Sequence, residues 1–173
     1  MGMAAYDAAL FSVLGESVEH PIGCANCHDA QTLELIVTNP ALETALAAQR
    51  LDWRTFSQQE MRTVVCANCH VEYYFAGTGK YLTFPWANGR DIEDIVAYCQ
   101  ANGFVDWTHP ESGTKMIKMQ HPDFEMFSNN STHYNAGVAC ADCHMPYVKT
   151  DGMRFSTHDV KSPLLNAQAA CSG

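Results

Sequence analysis

Three short stretches of the chain offer the same chemistry: Cys24-Ala-Asn-Cys27-His28, Cys66-Ala-Asn-Cys69-His70 and Cys140-Ala-Asp-Cys143-His144. Each sets two thiols about one helical turn apart and puts an imidazole directly after the second. Thiols at that separation can bond to the two vinyl groups of one porphyrin, and the neighbouring imidazole then reaches the iron from the same side. A lone Cys-x-x-Cys would serve equally well around zinc or as a dithiol redox pair. Zinc ribbons pair their knuckles and need no His beside each, so three copies that each end in His point to covalent haem c. Cys171-Ser-Gly would open a fourth site if Cys-His followed, so Cys171 is counted with the cofactor-binding residues as a truncated attachment motif. Cys99 stands alone in a helical stretch and reads as a buried small hydrophobe.

The elements that must position these motifs are mostly helical. Ser57-Gln-Gln-Glu60 has the form of a capping box, opening a helix through Met61 to Val65 that delivers Cys66 and Cys69. Asn39-Pro40 can start a helix over 41–50, and 91–101 reads as another that ends near Gly103. The stretches 74–90, 105–136 and 145–166 are rich in Gly, Pro, Asn, Ser and Thr and lack periodicity, which predicts long loops. Loops of that length need another source of order. Bound porphyrins are rigid apolar plates that can replace much of a side-chain core. The expected fold class is therefore mainly α with long loops, a multihaem cytochrome c fold organised around covalently bound haems. With no linker or regular repeat, 1–173 reads as one domain.

At 47% hydrophobic residues the chain is expected to fold rather than stay disordered. Nineteen acidic against ten basic residues, a net charge of −9, would repel nucleic acid and anionic lipid, so neither is expected as partner. No apolar run approaches the roughly 18 residues that span a bilayer. Met1-Gly-Met-Ala-Ala lacks the regions of a signal peptide, and the native start is expected to lie elsewhere. An anionic substrate would need a locally positive pocket against this overall field, which metal ions or Lys could supply.

Four stretches together resemble the pentahaem cytochrome c nitrite reductase family: Pro21-Ile-Gly-Cys24-Ala-Asn-Cys27-His28-Asp29, Val65-Cys66-Ala-Asn-Cys69-His70-Val-Glu72-Tyr73-Tyr74-Phe75, Lys118-Met-Gln120-His121-Pro122 and Cys140-Ala-Asp-Cys143-His144-Met145-Pro146. The resemblance runs along essentially the whole chain. It implies six-electron reduction of nitrite to ammonium, with Tyr73 and His121 as the catalytic residues on the distal side of the active-site haem. It also implies a calcium ion held by the Glu72 carboxylate, the Tyr73 and Lys118 backbone carbonyls and the Gln120 side-chain oxygen, a hard-oxygen set that suits calcium. By the same resemblance His158 is the distal ligand of the Cys24/Cys27 haem and His133 that of the haem begun at Cys171, while His20 and His109 receive no role. Paired imidazoles close an iron to substrate and suit electron relay. The family's Cys-x-x-Cys-Lys motif, active-site Arg and one distal His do not occur in this stretch, so the chain reads as a central portion that is inactive alone.

The other reading is a multihaem electron-transfer cytochrome, or a related oxidoreductase acting on hydroxylamine or sulfite. Glu72-Tyr73 together with Lys118-Met-Gln120-His121 separates the two, because a simple electron carrier has no need of them. Thioether attachment outside the cytoplasm predicts a periplasmic protein supplied by a quinol-oxidising or cytochrome donor. Family members form homodimers through a C-terminal region that this stretch does not include.

Overall fold

The structure, a computed structural model, describes residues 22–117 and 123–171 together with Glu16 and Glu19. Helix α1 spans Pro40–Ala48, opened by the Asn39 side chain, which accepts the Ala41 amide hydrogen, and by Pro40 in the first turn. It ends before the predicted 50, because Gln49 leaves helical geometry and Arg50 turns left-handed at φ 61°. Helix α2, Gln58–Val64, starts at the expected capping box: Ser57 accepts the Glu60 amide hydrogen while the Glu60 carboxylate accepts the Ser57 amide at 2.7 Å. Helix α3, Ile92–Ala101, stops at Gly103, whose φ of 62° only glycine adopts without strain. There the amides of Gly103 and Phe104 turn back to the carbonyls of Gln100 and Cys99, satisfying two groups the helix end would orphan.

The three predicted loops are not featureless. Antiparallel hairpins occur in each: β1 Tyr74–Ala76 with β2 Tyr81–Thr83, β3 Trp107–Thr108 with β4 Lys115–Met116, and β5 Tyr147–Thr150 with β6 Met153–Ser156. The last is closed by Asp151-Gly152, both at positive φ (52° and 79°), the two-residue turn whose twist matches the strands. Short helices α4 Phe124–Phe127 and α5 Thr132–Asn135 interrupt the long middle stretch. Helix α6, Cys140–His144, holds the third attachment motif, and α7, Ala167–Cys171, ends on the last cysteine.

The side-chain core forms where α1, α2 and α3 meet. Leu42 and Leu46 of α1, Met61 and Val64 of α2, and Ile95 and Cys99 of α3 are buried around Trp86, which stacks on Phe84 at 5.1 Å and meets the edge of Phe124. Cys99 is thus packed as the small hydrophobe its setting predicted. Ala67, inside the second attachment motif, is completely buried in the same cluster, and Val71 just beyond it is buried too. The second motif is therefore part of the core, and the other two are fastened to it. Among the described residues no helix is long and apolar enough to cross a membrane.

Candidate functional site

All three complete motifs are wound as tight turns. Residues Cys24–Asn26 and Val65–Asn68 are 3-10 turns, and in both the amide of the following His donates to the first Cys carbonyl at 2.8 Å, the geometry that stacks both thiols and the imidazole on one side. The third residue of the motif closes the turn in two cases: Asn26 accepts from the Gly23 amide at 2.8 Å, and Asp142 from the Ala139 amide at 2.8 Å. Asn68 instead reaches across the fold. Its side-chain oxygen accepts the amides of Thr38 and Asn39, while Thr38 Oγ1 donates to the Asn26 carbonyl at 3.0 Å, so residues 38–39 hold the first motif against the second.

The third motif is tied to the second through α2. Arg62, only 5% exposed, pairs with Asp142 at 2.7 Å, donates to Ser156 and lies over the Tyr147 ring at 4.2 Å. Gln59 donates to Asp142 at 2.6 Å and to the Gly137 carbonyl, and the Cys140 amide donates to Thr63. Burial alone would raise the Asp142 carboxyl, but the Ala139 amide, Arg62 and Gln59 outweigh it and hold it below the usual carboxylate range. Neither Arg62 nor Glu125, described below, was singled out by sequence reasoning, because a buried charge carries no local signature.

These ties gather the thiols. The hydrogen bond between Cys66 and Cys140, with burial adding, pushes Cys66 above the ordinary thiol range, while the same bond and Thr63 lower Cys140. Cys27 is raised by burial and by the nearby Cys69 and Cys24, and Cys143 by burial and by Cys171. Each motif therefore has a cysteine within electrostatic reach of one in the next motif along the chain.

Three observations bear on whether these residues fit haem. First, His28 and His158 face each other with ring centroids 6.1 Å apart. Two imidazoles bound to opposite sides of one metal ion, at bonds of about 2 Å, hold their centroids about 6 Å apart. Second, His28 Nδ1 contacts the Leu33 carbonyl at 2.7 Å and His144 Nδ1 the Lys161 carbonyl at 3.1 Å. With Nδ1–H donated to a carbonyl, Nε2 is left as the metal-binding nitrogen, and the ring is fixed. Third, Ile22 and Leu33 beside the first motif and Val160, Leu164 and Leu165 before the last are 65–88% exposed, large apolar groups such as a bound porphyrin would cover. The residues present fit the group.

The segment after the second motif carries a different chemistry. His70 is exposed, Glu72 is buried, and Tyr73 is 45% exposed with its ring edge against Phe75. The Glu72 amide donates to Oε1 of Glu125 at 3.0 Å, while Oε2 of Glu125 is buried with no hydrogen-bond partner among the described residues. Burial pushes the Glu125 carboxyl up to about 7, offset in part by its own amide and that of Glu72, with the Asp123 charge raising it further. Several carboxylates buried together suit a nearby cation. Among the described residues no group of three or more His, Cys, Asp or Glu side chains forms a metal cluster. Lys118, Gln120 and His121 lie outside the described residues, as does His20. His133 is exposed on α5, and His109 accepts the Glu111 and Ser112 amides within its own turn.

The family model of cytochrome c552 matches residues 1–173. The chain is 46% identical over 171 residues to a cytochrome c-552 of Parabacteroides distasonis, covering 99% of this chain and 34% of that protein. A cytochrome c-552 of Porphyromonas gingivalis is 48% identical over 161 residues, 93% of this chain and 32% of that one. The chain thus spans about a third of the length of the curated relatives it matches. Among solved structures, the catalytic subunit of cytochrome c nitrite reductase from Desulfovibrio desulfuricans, described with two calcium sites, superposes with a TM-score of 0.73 at 45% identity, over 87% of this chain and 34% of that one.

Proposed function

Because this chain belongs to the cytochrome c552 family, we propose that residues 1–173 form one partial domain, the central portion of a periplasmic multihaem nitrite reductase that converts nitrite to ammonium. The observation that carries the reading is the turn after the second motif. Within three residues of the ligand His70 it sets a buried carboxylate, Glu72, and an exposed phenol, Tyr73, with Glu125 bound to it. An electron carrier has no use for such a turn.

In this reading Cys24, Cys27 and His28, Cys66, Cys69 and His70, and Cys140, Cys143 and His144 hold three haems, and Cys171 begins the attachment of a fourth. Haem c supplies one-electron transfer when bound. His28 and His158, which face each other, would together hold one haem and close that site to substrate, and His133 would do the same for the haem begun at Cys171, which would leave both for relay. Reduction of nitrite to ammonium and two waters takes six electrons and eight protons, so proton delivery matters as much as electron supply. Tyr73 donates a hydrogen bond from its hydroxyl to a nitrite oxygen, and His121 passes protons to the departing oxygens. Glu72, the Tyr73 and Lys118 carbonyls and Gln120 would hold calcium beside them, fixing both segments and raising the local potential for an anion against the chain's charge of −9. Electrons come from a quinol-oxidising or cytochrome donor. The remaining two thirds of the protein supply the active-site haem and the homodimer contact.

The test is ammonium production from nitrite by the full-length protein matured with haem. Tyr73→Phe and His121→Ala are each expected to cut turnover by roughly one hundredfold with haem content intact. Turnover unchanged in both variants would remove their assigned roles, and a wild-type protein that passes electrons but leaves nitrite untouched would make it an electron carrier.

A further inference from the structure

Glu125 belongs to no attachment motif and to none of the expected ligand sets, yet it is 1% exposed. Its Oε1 accepts the Glu72 amide at 3.0 Å. One residue earlier, the Phe124 amide donates to the His70 carbonyl, also at 3.0 Å. Residues 70–72 and 124–125 therefore run past each other joined by two bonds, the first of which is made by a side chain. The first strip leads directly into Tyr73, and the second opens α4, whose Phe124 lies in the buried core.

We propose that Glu125 is a positioning residue for nitrite reduction, which holds the Tyr73-bearing turn against the core through its bond to the Glu72 amide. The proposal rests on the functional reading above. A carboxylate is costly to bury, and a neutral side chain would satisfy one amide with less desolvation. That cost is met here by a bond that fixes the Glu72 amide against the 124–125 strip. That choice fits a place where the turn must not drift, since a misplacement of about 1 Å far from the reacting atoms can cost on the order of a hundredfold in rate. Phe124 is packed against Trp86 in the core, so the strip that carries Glu125 is itself rigid.

The experiment uses the full-length, haem-loaded protein with Glu125→Ala and Glu125→Gln, since the amide oxygen of Gln can replace Oε1 as acceptor. Two readouts are taken: kcat and KM for nitrite, and hydrogen exchange of the Glu72 amide. Glu125→Ala is expected to lower kcat at least about tenfold with KM little changed and to expose the Glu72 amide, while Glu125→Gln restores protection and brings kcat within about threefold of wild type. Glu125→Ala with full haem content and with both readouts at wild-type level would overturn the proposal. If Glu125→Ala does not assemble, Glu125→Gln decides: protection retained with kcat lost tenfold would also overturn it, because charge and not the bond would then be the agent. A wild-type protein that leaves nitrite unreduced would sink the functional reading instead, and the exchange readout would still decide whether Glu125 holds the turn.

Discussion

Arg62 shows what a buried charge does at the edge of a small side-chain core. Its guanidinium is spent on three neighbours from distant parts of the chain: Asp142 in the third attachment motif, Ser156 in β6 and the face of Tyr147 in β5. Tyr147 also carries Arg154 on its ring at 3.9 Å, so two cations share one aromatic side chain. Such a pair is worth little against a hydrophobic replacement, but removing one partner leaves the other stranded. Asp142 keeps 25% side-chain exposure and two other donors, the Ala139 amide and Gln59, so the loss is less than for a sealed pair. Arg62→Ala is expected to destabilise the protein by about 2–4 kcal/mol and to loosen the third motif, seen as a lower denaturant midpoint. Asp142→Asn should cost less, because its amide oxygen still accepts from Ala139. Equal midpoints for Arg62→Ala and wild type would show that the α2–α6 tie contributes nothing. Arg62 was not legible in the sequence because an Arg four residues before a Cys reads as a solvated helix face. Only the fold brings it opposite Asp142, eighty residues away. The cysteine-histidine motifs were legible because their chemistry is local.

The same division holds for the elements. Helices α1, α2 and α3 could be read because their stop and start signals lie next to them: Asn39-Pro40, the Ser57 to Glu60 box, and Gly103. The hairpins went unread because the stretches that contain them are dominated by turn residues. In β5–β6, however, Asp151-Gly152 is a strong hairpin signal flanked by Tyr147, Val148 and Phe155, and it could have been recognised. The helix that delivers the second motif yields a prediction with a pH sign. The Ser57 hydroxyl and amide hold the Glu60 carboxyl below the ordinary carboxylate range. A group whose pKa is depressed on folding contributes stability that is fully present above its unfolded pKa and disappears as pH falls through the folded value. Ser57→Ala is expected to cost about 1 kcal/mol near neutral pH. Its stability deficit should shrink in acid, where the wild-type box is itself protonated. A deficit that stays constant as pH falls would mean that the box acts through the Ser57 hydroxyl's bond to the Glu60 amide and not through the carboxylate.

Across the chain, the side-chain core among the described residues is unevenly placed. The buried cluster gathers around Trp86 and the second motif, whereas Ile22, Leu33, Val160, Leu164 and Leu165 stand 65–88% exposed around the first and last motifs. Isolated exposed apolar residues are ordinary, but here they lie beside the residues that would bind porphyrin, and His28 and His158 already face each other across 6.1 Å. The first motif has no buried residue of its own and reaches the core through residues 35–39, which bond to Asn26, Cys27 and His28 and carry Val37 into the buried cluster, so it would be the part most dependent on its cofactor. Replacing Cys24 and Cys27 with Ser in the full-length protein is expected to lower the intact mass by one haem, to increase binding of a hydrophobic dye, and to lower the thermal midpoint by several degrees. His158→Met tests the same site with the haem retained: exchange of an imidazole for a thioether raises the potential of one haem, with the haem count and nitrite turnover sites left as they were. A Cys24/Cys27 double variant with unchanged dye binding and midpoint would mean that the protein around the first motif is ordered by its own side chains. A His158→Met protein with every potential unchanged would mean that His158 faces His28 without sharing a metal ion with it.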